Sequence, residues 1–490
     1  MYSARVGSVG RSRSYRKFIK DCCAYRPSDL VPAIARVSAS LGDTPDLDFS
    51  TSYRSLWGLA VAARESLLYG TEAPGKIVTD PRIERLMYRL FDAEALPDLR
   101  PGDSGFMLSA LTPVLYEQFP WQESIFEEVA RTYALMVDGL NHVATDVISE
   151  ASLTELLDGV PLVQAVGATF VLHFLAYEHG GVYDPGRLDD EDFQEVFARY
   201  PRSAIEASAR RLTATRAEFK ADFDQHSHGN RTLAKYDYNP LVRTPFVALE
   251  GGLTVAPAPR LIMRTVTPGG LYYPGFDRLG PGFGNDLGRL FENYVGRSLD
   301  LIDGAEVHPE VEYGSKKQRK KSIDWFVVMP GLVLLIECKL KRLGLPARAG
   351  DAPLQADLKG AVEKAYEQLT HSLEALAAKL PEFGHIPTDR PMLAMIVSAE
   401  PIYVGDAYLV DQHGASLSAG PFRDVPVATV SARQLEMLVT HGAGVEQQLL
   451  ELIQKHVPGT AFALGGIAAH EDKINSILES AWAAYDFPPC

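Results

Sequence analysis

Cysteine is scarce in this 490-residue sequence: there are four, two of them adjacent at Cys22 and Cys23. That supply gives no disulfide framework and no paired CxxC for zinc, so a reducing, cytoplasmic setting is expected. The opening stretch MYSARVGSVGRSRSYRKFIKD is basic but lacks the apolar core of a secretory signal. It reads as a frayed basic arm or an organelle transit peptide. Long hydrophobic runs are missing as well. The most membrane-like segment, VPLVQAVGATFVLHFLAYEHGG at 160–181, is short for a bilayer and is interrupted by Gln164 and His173, so it predicts a buried helix and no membrane partner. There is no fixed-period repeat, no HExxH and no GxSxG. GTEAPGKI at 70–77 lacks the Ser or Thr of a phosphate-binding loop and follows a helical pattern rather than a strand. GPGFG has no strand before it, which removes the dinucleotide fingerprint. DFDQHSHGN gathers Asp222, Asp224, His226 and His228 at a helix end, where a solvated loop is the better reading than a metal site. Positive charge is also in deficit, with 48 Lys and Arg against 63 Asp and Glu. A net charge of −15 argues against a general nucleic-acid coat and leaves room only for a local basic surface.

What is present divides along the chain. The sequence is too long for one ordinary core, so two or three domains are expected. Residues 1–235 are expected to form a helical domain, with helical periodicity almost throughout from about 14 to 224, as in SLWGLAVAARESLLYG and SIFEEVARTYALMVDGL. HSHGNRTLAKYDYNP reads as a linker. Residues 236–283 then form a β-rich connector: a hairpin around Glu250, Gly251 and Gly252, followed by the glycine- and proline-rich TPGGLYYPGFDRLGPGFG. From 284 to 440 the order is helix, three strands, helix, strand, then a further strand and helix, which predicts an α/β layer domain. Residues 441–490 are a helical tail.

The stretch SIDWFVVMPGLVLLIECKLKR at 322–342 is apolar yet bracketed by charge. A turn centred between Pro330 and Gly331 sets Asp324 opposite Glu337, with Cα atoms within about 5.5 Å. A four-residue loop from Met329 to Leu332 suits an L-proline–glycine pair better than a primed two-residue turn. Alternation sends Glu337 and Lys339 to one face and Cys338 to the other. Two facing carboxylates repel unless a cation lies between them, and a hard divalent ion with oxygen ligands is the natural occupant. Lys339, one strand step on, can serve an attacking water or a phosphate. Together these are the parts of metal-assisted phosphodiester hydrolysis. The plainer alternative is a Lys339 salt bridge to one acid, guarding a sheet edge.

This arrangement resembles the PD-(D/E)XK nuclease superfamily over roughly residues 284–435, carried by SIDWFVVMPGLVLLIECK. Glu218–Lys220, Asp357–Lys359 and Glu471–Lys473 have the same acid-x-Lys spacing but lack the apolar strand and the opposed acid. The resemblance implies a C-terminal α/β/α restriction-endonuclease-like domain with a mixed sheet, acting as a Mg²⁺-dependent endodeoxyribonuclease with Mn²⁺ as a substitute. It implies that Asp324, Glu337 and the Cys338 carbonyl hold the metal and that Lys339 serves the water or phosphate. Glu292, between Gly288 and Gly296 on one helical face, matches the family's helix acid; pairing with Arg289 is the alternative. Gln368 matches the family's glutamine and could hold the water or a phosphate, with Lys364 one turn earlier on the same side as a nucleic-acid contact; a solvated helix face is the alternative. Ile323 stands where the family often has proline. The segment GSKKQRKKS supplies Lys316, Lys317, Arg319, Lys320 and Lys321 as a loop that contacts nucleic acid, or else a solvated loop. DNA is favoured by the resemblance, with RNA as the alternative, and bacterial antiphage defence or restriction is the setting by analogy. Two rival readings stay open: a silent nuclease fold used for binding or assembly, and a helical half that carries the main activity as a sensor or toxin; a protein partner or a second copy would bind through that half.

Overall fold

The computed structural model describes residues 14–42, 55–93, 105–118, 124–191, 193–231, 233–315, 318–340, 342–351, 353–462, 464 and 475–487. The N-terminal half is helical, and among its helices are α1 (Pro27–Leu41), α2 (Leu56–Tyr69), α3 (Ile125–Met136) and α4 (Leu162–Glu178). Ser55 caps α2 by accepting the Gly58 N–H, an ordinary use of serine at a helix start. Helix α4 is the apolar segment that stops short of a bilayer, and most of its residues are buried. Among the described residues no helix is long and apolar enough to cross a membrane.

The segment expected to be a linker is instead packed. Arg64 of α2 is buried and donates to the carbonyls of Asp237 (2.5 Å) and Ala234 (2.9 Å). Asp237 in turn accepts from the amides of His228 and Tyr238 and from the Ser227 hydroxyl. Polar groups taken out of water must be satisfied, and the hydrophilic texture read as a linker is that satisfaction. The predicted hairpin forms as β3 (Phe246–Ala248) and β4 (Thr254–Val255). Its turn uses Gly251 and Gly252 at φ of 90° and 85°, a conformation costly for other residues. It joins β1 (Val182–Tyr183) and β2 (Thr213–Thr215) in a four-stranded sheet of order β1-β4-β3-β2.

TPGGLYYPGFDRLG is a second departure, because it forms helix α5 (Pro268–Leu279) rather than an irregular connector. Thr267 caps it, Pro268 occupies its first turn, and both suit a helix start. A Cβ at Gly275 would overlap the Phe283 ring. That glycine lets α5 lie directly on α6 (Pro281–Leu299), and packing overrides its poor helix propensity.

The C-terminal part carries a mixed five-stranded sheet. Its strands are β5 (Glu306–Pro309), β8 (Trp325–Val328), β9 (Val333–Lys339), β10 (Met392–Ser398) and β11 (Val427–Ser431), in the order β11-β10-β9-β8-β5. Strands β5, β8 and β9 are antiparallel neighbours, while β9, β10 and β11 are parallel. EVHPEVEY, read as one strand, breaks after Pro309. The basic segment is not a loop: β6 (Glu312–Ser315) and β7 (Gln318–Lys321) pair as a separate hairpin. Glu312 and Arg319 bond across it at 2.6 Å, a cross-strand contact that local basic composition conceals.

Alternating side chains give the sheet two apolar faces. Val327, Leu334, Ile336, Met395 and Val430 share a core with α6, while Phe326, Val333, Leu335 and Ile396 share one with α7 (Lys364–Ala377). Helix α8 (Gly405–Ser418) leads to β11, and α9 (Ala432–Val439) follows it. The α6-side core also takes in residues of α3 and α4, so the helical half helps to back this sheet. In the tail, the Tyr485 hydroxyl donates to the Val129 carbonyl of α3 (2.9 Å).

Candidate active site

Strand β8 ends at Val328 and β9 begins at Val333, which leaves Met329–Leu332 as the four-residue connection; within it the Met329 amide donates to the Leu332 carbonyl at 2.9 Å. Trp325 pairs with Ile336 and Val328 with Val333. One further step sets Asp324 opposite Glu337. Asp324 lies at the bend before β8, and its Oδ2 accepts the Cys338 N–H at 2.6 Å. The carboxylate thus stands in for the next rung of the ladder. By alternation Asp324, Glu337 and Lys339 belong to the α7 face, with Phe326 and Leu335. Cys338 packs against the α6-side core.

The adjacent strand adds an acid not singled out from the sequence. Pro309 pairs with Trp325, so the next residue, Glu310, follows opposite Asp324. Glu310 just beyond β5, Asp324 just before β8 and Glu337 on β9 thus form an acid row, and the Glu310 charge acts on Asp324. Pro309 marks the strand end, but placing Glu310 requires the β5–β8 register, which spans the intervening hairpin.

Glu292 comes from α6. A Cβ at Gly296 would overlap the Trp325 ring, so this glycine lets α6 rest on the indole. Trp325 Nε1–H then donates to the Glu292 carbonyl (3.1 Å). Gly288 is not under the same constraint, since a Cβ there would come no nearer than 4.0 Å to Leu340. Arg289 pairs with Asp146 and Asp286 rather than with Glu292. On the other face, Lys339 Nζ donates to Gln368 Oε1 (2.8 Å) and to Glu337 Oε1. Gln368 follows a π-helical turn at Lys359–Glu363, a feature frequent near functional sites. Lys364 begins the same helix, one turn earlier.

Charge is poorly balanced here. Glu337 is only 1% exposed, and its Oε2 has no hydrogen-bond partner among the described residues. Burial and then the Asp324 charge push its pKa up to about 8, against the pull of Lys339. Burial, then Asp324 and Glu310, raise Glu292 to about 7. Burial also raises Asp324, although the Cys338 amide draws it the other way. Burial first, then Asp324 and Glu337, keep the Cys338 thiol protonated. Carboxylates disfavoured in their charged form, with one oxygen unmet, are what an added cation would relieve.

Among the described residues no group of three or more His, Cys, Asp or Glu forms a ready-made metal cage. Mg²⁺ commonly binds without one, through one or two carboxylates, waters and substrate phosphates. The oxygen donors of Asp324 and Glu337, and the orphaned Glu337 Oε2, fit such an ion. Along the edge, Lys321 bonds Glu310 at 2.7 Å, which ties the exposed strand β7, including Arg319 and Lys320, to the acid row. Lys316 and Lys317 lie outside the described residues. Comparison with protein-family models and with curated proteins finds no match to this chain.

Proposed function

We propose that the five-stranded sheet is the core of a PD-(D/E)XK-like nuclease domain whose acidic edge hydrolyses nucleic-acid phosphodiester bonds, DNA by preference. The observation that carries this reading is a buried Glu337 with an unmet oxygen, opposite Asp324 and one strand step from a positioned lysine. Asp324 and Glu337 would hold Mg²⁺ or Mn²⁺, with the Cys338 carbonyl as a further donor. Such an ion supplies Lewis-acid stabilisation and a more acidic water.

The chain's own groups do the rest. Gln368 holds the Lys339 ammonium in place, where it meets negative charge building on the phosphate. Glu292, with its pKa raised to about 7, is suited to accept a proton from the attacking water. Arg319, Lys320 and Lys321 on the hairpin position the phosphate backbone. The test is incubation of the full chain with plasmid DNA and Mg²⁺ or Mn²⁺ beside Lys339→Ala. Cleavage by the wild type alone supports the reading.

The Lys339–Glu337 ion pair favours one other reading, a silent nuclease fold that binds nucleic acid or protein. Equal inertness of wild type and Lys339→Ala with both ions would select it.

A further inference from the structure

On the α6 side of the sheet, the carboxyl ends of β9, β10 and β11 open into a recess apart from the acid row. Leu340 and Arg342 line it just after β9, Glu400 after β10 and Ser431 at the end of β11. Helix α3 adds Arg131 and Glu128, and α9 adds Arg433. The cavity is about 60 Å³, against roughly 10–15 Å³ for one water, so a small tetrahedral ion fits.

Arg342 stands out among these side chains. Its side chain is 8% exposed, and its guanidinium lies 5.1 Å from the Tyr272 ring and 5.2 Å from that of Tyr273. It donates to the Gly269 carbonyl (2.8 Å) and to Glu400. Its Nε has no hydrogen-bond partner among the described residues. A buried donor left unmet is unusual and calls for an explanation. Burial, and then the nearby Arg348 charge, lower its pKa, and Arg348 shares the Glu400 carboxylate with it.

The wider balance agrees. Three arginines and two glutamates line the recess. Behind them Arg264 meets Glu128, Arg348 meets Glu400, Glu436 meets Arg131 and Glu127 meets Arg433. That outer layer of two arginines and two glutamates cancels, which leaves one positive charge in excess. Guanidinium forks match oxyanions, and Arg342, Arg131 and Arg433 reach the recess from the segment after β9, from α3 and from α9.

We propose that this recess is an oxyanion pocket for a phosphate group, supplied by the terminus of a polynucleotide strand or by a small free phosphate. The pocket contains no member of the acid row, so it stands independently of the nuclease reading.

The test is calorimetric titration of the full chain with inorganic phosphate, with chelator present and ionic strength held by sodium chloride. Wild type should bind saturably. Arg342→Lys, which keeps the charge and loses the fork, should weaken binding tenfold or more. Arg433→Gln alters a partly exposed side chain, so it guards against a folding failure and should weaken binding similarly. No saturable binding, or equal affinity in both folded variants, overturns the proposal.

Fluorescence anisotropy with 5′-phosphorylated, 3′-phosphorylated and unphosphorylated oligonucleotides, again in chelator, separates the sources. Tighter binding of a phosphorylated strand that Arg433→Gln abolishes identifies a strand terminus; equal binding beside saturable inorganic phosphate identifies the free ion. Because no metal is present, failure here is distinct from failure of the cleavage assay.

Discussion

Tyr294 and Glu292 stand two residues apart on α6, and they serve two buried clusters of opposite construction. On the Tyr294 side, Arg131 delivers Nε and a terminal nitrogen to the two Glu436 oxygens at 2.5 and 2.6 Å. The Tyr294 hydroxyl donates to the same carboxylate at 2.6 Å. Asp286, earlier on α6, is likewise satisfied: burial would raise its pKa, but amides of Ile148, Val147 and Asp146 bring it down to about 2. On the Glu292 side, Glu310, Asp324 and Glu337 line up with one interior lysine and an unmet oxygen. Three carboxyl pKa values there are raised, Glu292 to about 7, Glu337 to about 8, and Asp324 above its ordinary value. Burial is common to both clusters, so burial alone does not mark a site. The difference is whether each charge has its complement, and that separates a fastening from a place that awaits a ligand.

The sharpest way to break this contrast is to remove one complement from each side. Glu436→Gln strands the buried Arg131 charge and should cost about 3–5 kcal/mol, read by denaturant unfolding. Glu337→Gln removes a carboxylate whose charged form the fold disfavours, so at pH about 8.5 it should melt no lower than wild type. Equal destabilisation by both would mean that the acid row is also a fastening.

Activity should divide the other way. Lys339→Ala should lower metal-dependent cleavage by about 10²–10³-fold, the usual loss for a transition-state charge partner, with circular dichroism unchanged. Wild-type cleavage by that variant would remove Lys339 from the chemistry.

The pH dependence tests the same contrast without mutation. Glu337 and Glu292 titrate at about 8 and about 7 in the folded chain, against about 4.3 in an unfolded one. The folded state therefore holds more protons across that window. The stabilisation is complete below the unfolded pKa and is lost as pH rises through 7 and 8. Metal ligation needs the deprotonated forms, so Mg²⁺ should raise the melting temperature more at pH about 8.5 than at about 6. A shift equal at both values would place the ion elsewhere.

Smaller effects refine the picture. Gln368→Leu should reduce cleavage about 10-fold by releasing Lys339, a loss typical of supporting partners; an unchanged rate would make Gln368 a bystander. Alanine at Lys316, Lys317 and Lys320 should flatten the salt dependence of DNA binding by about 0.9 for each phosphate no longer neutralised. Binding with an unaltered slope would take the hairpin out of the interface.

Much of the candidate site was open to reading because its geometry is local. Pro330–Gly331 centres the turn, and the β8–β9 register follows by counting. Helical period alone brings out Glu292 with Gly296 and puts Gln368 one turn from Lys364. What stayed hidden depends on pairing between distant residues. Glu310 gains its place only through the β5–β8 ladder across an intervening hairpin. GSKKQRKKS reads as a loop because its charges obscure a hairpin in which Arg319 pairs with Gly314 and Lys321 with Glu312. The α5 segment reads as a breaker because glycine and proline counts do not reveal that Phe283 needs the space beside Gly275.

The amino-acid order by itself determined the helical first half, the turn that opposes Asp324 to Glu337, and the face shared by Glu337 and Lys339. These follow from periods of a few residues, where chain geometry leaves little choice. Only the tertiary structure decided that Glu310 joins the row, that Glu337 is buried with an oxygen unmet, and that Arg131, Arg342 and Arg433 converge on one recess. Desolvation and charge balance depend on everything that surrounds a group, and that surrounding exists only once segments hundreds of positions apart have packed.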